Sequence, residues 1–128
     1  MSNRQSIPDD LRRFVLTSVP SVPYLEAVLL LLRAEPGREC SLSDVARALY
    51  VSERIAGELL QALVEAGVAQ AGGAGGYRYG PADPALAAML ERLAQAYAQD
   101  LIAITNLIHD RVQKNAQRFA DAFRLKER

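Results

Sequence analysis

The chain has 128 residues, half of them apolar, with acids and bases balanced at 15 each. That length and apolar content suit one domain with its own core and exclude a disordered chain. The zero net charge excludes a long-range electrostatic pull toward nucleic acid, anionic membrane or acidic substrates. With aromatics at only 6% and many Ala and Leu residues, helices are favoured over strands.

The opening stretch "MSNRQSIPDDLRR" lacks the basic-then-apolar layout of a signal peptide. Ile7, Leu11, Phe14, Val15 and Thr17 then follow at helical spacing over residues 7–18, with Pro8, Asp9 and Asp10 suited to a first turn. "VPSVP" breaks that helix, because each Pro disfavours helix in the residue before it. A second helix is expected from Val22 to Ala34, stopped by "EPG". It contains the longest apolar run, Ala27 to Leu32, which is too short to span a bilayer. Cys40 is alone, so no intrachain disulfide or thiolate cluster can form, as suits a reducing compartment. A soluble, cytoplasmic protein without membrane association is expected.

Ser41 and Asp44 form an approximate capping box for a helix over Leu42–Leu49 that should bury Leu42, Val45, Ala46 and Leu49. A break at Tyr50–Val51 follows, and Ser52 caps a further helix that stops at Gly67. "VAQA" and "YRY" are short strand candidates around "GGAGG", which reads as a hairpin. Alternation places Tyr77 and Tyr79 on one face and Arg78 on the other. Beyond "PADP", nothing breaks a helix from Pro84 to about Asp110. Its apolar stripe is Leu86, Leu90, Leu93, Tyr97, Leu101, Ile104 and Ile108, which is 22 residues in six turns. That period exceeds a heptad's, so a nearly straight partner helix is expected rather than a zipper. Val112, Ala116, Phe119 and Phe123 continue the spacing past a bend near Lys114–Asn115.

The stretch "SLSDVARALYVSERIAGELLQALVEAGVAQ" followed by "GGYRYGP" resembles bacterial winged helix-turn-helix transcriptional regulators. Its organisation is similar to the MarR-like group, in which flanking helices build a dimer. The resemblance covers residues 22–80; the outer helices match by architecture only. It implies a mainly α fold with a small β-hairpin wing, in three parts. These are an N-terminal dimerisation helix and linker (1–21), a winged helix-turn-helix core (22–82), and a C-terminal dimerisation helix with a basic tail (83–128). Duplex DNA and a second copy of the chain are the implied partners, with Arg47, Ser52, Arg54, Gly57, Gln61 and Arg78 as DNA-binding candidates. Leu11, Phe14, Leu93, Tyr97, Leu101, Ile104 and Ile108 are the dimer-interface candidates.

Three features depart from that group. Tyr50 stands where the turn usually offers Gly, the hairpin tip carries neither acid nor Arg, and the recognition helix is not basic. Over residues 53–66 an apolar arc of roughly 200° leaves Arg54, Gly57, Glu58, Gln61 and Glu65 facing outward. There Arg54 and Gln61 can reach base edges and Gly57 permits close approach, while Glu58 and Glu65 oppose phosphates. Residues 41–80 hold three bases against four acids, and residues 109–128 hold six bases against three acids. The basic surplus therefore lies in the tail (Arg111, Lys114, Arg118, Arg124, Lys126 and Arg128) and not in the reading head.

Blander roles compete at each position. Arg54, Arg78 and the basic tail can be simply solvated, and Tyr77 and Tyr79 can serve packing. His109 can be solvated or capping, and Cys40 a half-buried small residue. One His and one Cys far apart make no nucleophile–base pair, no metal-ligand spacing exists, and "GGAGGY" is no phosphate loop. The expectation is a non-enzymatic, cofactor-free DNA-binding regulator acting as a homodimer. The alternative is a winged-helix protein–protein interaction module without direct DNA binding. A third reading is a small-molecule-binding protein with a pocket between the core and the long helices.

Overall fold

A computed structural model describes the backbone of residues 7–126 and, beyond Arg111, only the side chains of residues 117, 118 and 120. In chain order the elements are α1 (Asp9–Ser18), α2 (Val22–Arg33), α3 (Leu42–Leu49), α4 (Glu53–Glu65), β1 (Ala69–Ala71), β2 (Tyr77–Tyr79), α5 (Pro84–Gln99) and α6 (Leu101–Lys126). The protein is thus mainly helical with a small two-stranded antiparallel sheet. Its register pairs Ala69 with Tyr79, Gln70 with Arg78, and Ala71 with Tyr77. Contacts divide the chain into two compact units, Met1–Val22 with Arg92–Arg128, and Pro23–Glu91. No single helix among the described residues is long and apolar enough to cross a membrane.

In the first unit α1 lies against α6, and Leu11, Val15, Val19, Leu93, Tyr97, Ile104, Leu107 and Ile108 are buried. Arg92 of α5 grips Asp10 of α1 bidentately, with Nη1 donating to Oδ2 at 2.7 Å and Nη2 to Oδ1 at 2.9 Å. That guanidinium holds the Asp10 carboxyl well below its usual range, at about 2.

The expected single helix from Pro84 to Asp110 is interrupted at Asp100. The Asp100 Oδ1 accepts the Ala103 N–H at 3.1 Å, so this residue caps a new helix, α6. From there α6 continues unbroken through Lys114–Asn115. The tail bases Lys114, Arg124, Lys126 and Arg128, and the apolar Val112, Ala116, Phe119 and Phe123, have side chains outside the described residues.

In the second unit α2 supplies much of the core, with Tyr24, Leu25, Ala27, Val28, Leu29 and Leu31 buried. The Ser41–Asp44 capping box starts α3, with the Asp44 N–H donating to Ser41 Oγ at 3.0 Å and the Ser41 N–H to Asp44 Oδ2 at 3.4 Å. Of the four residues expected to be buried on α3, Val45 and Ala46 are, whereas Leu42 and Leu49 are only half-buried. From α4, Ala56, Leu60 and Leu63 enter the core.

Helices α3 and α4 end in the same way, with one residue in the left-handed region and the next N–H reaching back a full turn. At the end of α4 that residue is Gly67 (φ 79°), and Val68 N–H donates to the Leu63 carbonyl at 2.9 Å. At the end of α3 it is Tyr50 (φ 58°, ψ 45°), and Val51 N–H donates to the Ala46 carbonyl at 3.0 Å. A side chain in that region costs about 1–2 kcal/mol, which Gly avoids.

Candidate nucleic-acid interface

Between α2 and α3, Cys40 makes an isolated antiparallel bridge to Tyr77, with N–H···O bonds of 2.7 and 2.8 Å in the two directions. This bridge lays the strand-like residue before α3 along the hairpin. Sequence reasoning missed it, because one pairing residue leaves no periodic signal. Cys40 itself is half-buried, and burial followed by the Asp44 carboxylate pushes its thiol pKa up. That suppresses the reactive thiolate.

Helices α3 and α4 pack on each other and are joined by Tyr50–Val51 and the α4 cap, Ser52. Ser52 Oγ accepts the Ile55 N–H at 3.1 Å, while the Ser43 hydroxyl of α3 donates to Glu53 Oε2 of α4 at 2.8 Å. Arg54, Glu58, Gln61 and Glu65 are all exposed on α4, as their spacing implies. They are paired along the helix, with Arg54 Nη1 on Glu58 Oε2 at 3.0 Å and Gln61 Nε2 on Glu65 Oε2 at 3.1 Å.

Gly57 does not lie open on that arc. It is half-buried, and a Cβ built on it would point at Leu42 Cδ1 of α3, 3.7 Å away. A side chain at this position would therefore turn toward the α3-facing flank of α4.

The remaining basic candidates are also matched by acids. Arg47 lies 3.7 Å from Asp44 with both side chains largely exposed. Arg78 donates to Gln70 Oε1 across the hairpin at 2.6 Å and lies 3.7 Å from Glu39. Glu39 crosses the base of the glycine loop, occupying the space a Cβ on Gly72 or Gly76 would take. The cations of α3, α4 and the hairpin thus each meet a carboxylate, which makes the face electrically mixed. Tyr50 is 94% exposed and Ile55 is 37% exposed on the same turn and first helical turn. On β2, Tyr77 and Tyr79 are half-buried, and the Tyr79 hydroxyl is buried without a hydrogen-bond partner among the described residues. Burial and then Glu91 raise its pKa.

Of the expected dimer residues, Leu11, Leu93, Tyr97, Ile104 and Ile108 are already buried within the chain and have little surface left for a second copy. Phe14 is half-buried. Leu101, at 53%, is well exposed, and so is Ile102 at 68%, which the stripe did not include. His109 is exposed, and no cluster of three potential metal ligands occurs among the described residues. No protein-family model matches the chain, and comparison with curated proteins and with solved structures found no match.

Proposed function

We propose that this chain is a transcriptional regulator that binds duplex DNA as a homodimer through a winged helix-turn-helix. The observation that carries this reading is the order and joining of α2, the Cys40 bridge, α3, α4 and the hairpin. Helices α3 and α4 are separately Ser-capped and meet through a two-residue turn, and the hairpin follows directly from the Gly67 stop. That is the layout in which α4 enters a major groove and the hairpin lies alongside as a wing.

The ion pairs do not forbid this. An exposed i,i+4 pair such as Arg54–Glu58 stabilises a helix by only about 0.3–0.5 kcal/mol, whereas a bidentate Arg–guanine contact contributes about 1–3 kcal/mol. Arg54 can therefore leave Glu58 for a base. Glu58 and Glu65 remain near phosphates, so affinity is modest and depends on two half-sites. The second copy docks through the first unit, and the exposed Leu101–Ile102 pair supports that placement.

The same mixed face favours one other reading, docking of α4 on a protein. Selection of bound duplexes from a random pool, followed by titration of Arg54→Ala, separates the two. The regulator reading expects a selected site and a loss of about 1–3 kcal/mol in the variant, with relaxed preference at one base pair. No enrichment at low salt with micromolar dimer would transfer the function to protein docking.

A further inference from the structure

The left-handed position that ends α3 closes the helix through the Val51 N–H, but the cap does not require the tyrosine side chain that occupies it. Tyr50 holds φ 58° with its side chain 94% exposed, so its ring contributes almost no packing in return. The equivalent position after α4 is Gly67, which takes the same backbone without a side chain to strain it. Its exposure leaves the Tyr50 hydroxyl open to an acceptor outside the chain. Strain of this kind, held at an exposed aromatic beside an interface, points to a task for the side chain.

We propose that Tyr50 is a DNA-backbone contact, its phenol hydroxyl donating a hydrogen bond to a phosphate oxygen at the edge of the groove that α4 enters. The inference rests on the DNA-binding reading above. Tyr50 stands two residues before the Ser52 cap of α4, so a groove-bound α4 brings it to the bordering strand. Its neighbours explain why a neutral donor suits this place. Arg47 and Arg54 are matched by Asp44 and Glu58, and an uncharged hydroxyl reaches a phosphate without giving up an ion pair. Tyr50 positions the protein on the duplex and reads no base.

The test uses Tyr50→Phe and Tyr50→Gly in the full chain, with fluorescence anisotropy on the selected duplex and on an unrelated one across a salt series. Thermal melts of both variants accompany it. Tyr50→Phe should weaken binding roughly tenfold on both duplexes, since the dimer makes the contact twice. The slope of affinity against salt should stay unchanged, because a neutral donor releases no counterion. Tyr50→Gly should weaken binding at least as much while its Tm is equal to or above that of the wild type, the strain being relieved. Wild-type binding with unaltered affinity in both variants would overturn the contact while leaving the regulator reading intact. Weaker binding accompanied by a lower Tm would mark a structural role, and a loss confined to the selected duplex would mark a base reader; either result overturns the proposal. A wild type that binds neither duplex overturns this proposal together with the reading on which it rests.

Discussion

Gly57 is half-buried on the flank of α4 that meets Leu42, and Tyr50 holds the left-handed turn between α3 and α4 with its ring exposed. The departure at Tyr50 was legible, because a helix–turn–helix junction without Gly has to place some other residue in the left-handed region. Its near-complete exposure was not, since nothing in neighbouring residues says which way an unpacked ring points. For Gly57 a helical projection gives an angle but not the neighbour, and the neighbour is Leu42. That neighbour leaves ordinary contact distance for a methyl group, and Gly57 lacks the positive φ of Gly67. Gly57→Ala should therefore raise stability by about 0.5–1 kcal/mol, the helix-interior difference between the two residues. Urea melts of the variant check this, and a lower midpoint at equal m-value would mean that α3 cannot accept the methyl. Affinity for DNA should not move, since the added group faces α3.

At the level of elements, start and stop signals were read well wherever a side chain or glycine makes the hydrogen bond. Ser41, Ser52 and Gly67 each act where their chemistry suggests. The break at Asp100 escaped because the apolar stripe runs through it: Tyr97, Ile104 and Ile108 are buried on both sides, so periodicity continues while the backbone restarts. The tie between α1 and α5 was equally hidden, because Asp10 and Arg92 lie 82 positions apart. It has a measurable signature. The Asp10 carboxyl is lowered from 3.8 to about 2, first by its hydrogen bond to Arg92. A depressed carboxylate pKa means that the folded chain binds fewer protons than the unfolded one, so the contribution is complete above about pH 4. It is then lost as pH falls toward about 2. The stability difference between wild type and Asp10→Asn, measured by denaturant unfolding at several pH values, should be constant above pH 4 and shrink below it. A difference that does not change with acid would show that the ion pair has no such effect.

For the whole molecule, the mainly helical character and the hairpin followed from composition, capping residues and turn signals. Which apolar residues stay exposed did not, because burial depends on contacts between distant segments. The apolar stripe was expected to meet a second copy, yet most of it is consumed inside one chain, leaving Leu101 of the stripe and its neighbour Ile102 outside. If the chain forms the proposed homodimer, replacing both with Asp should convert it to a monomer in light scattering while the far-UV spectrum is retained, because neither charge is buried in the single chain. Ile104→Asp should instead unfold the chain, since that side chain is fully buried. An unchanged mass for the double variant would place the interface elsewhere.

The central claim is that the outer arc of α4 faces DNA despite its acids. Anisotropy titration of wild type and Glu58→Lys on labelled duplexes at low salt tests it most directly. If α4 lies in a groove, Glu58→Lys replaces a repelled carboxylate with a phosphate-neutralising cation, so affinity should rise for every sequence and the salt dependence should steepen. Equal affinity and equal salt slope for the two proteins, or no binding by either, would contradict it.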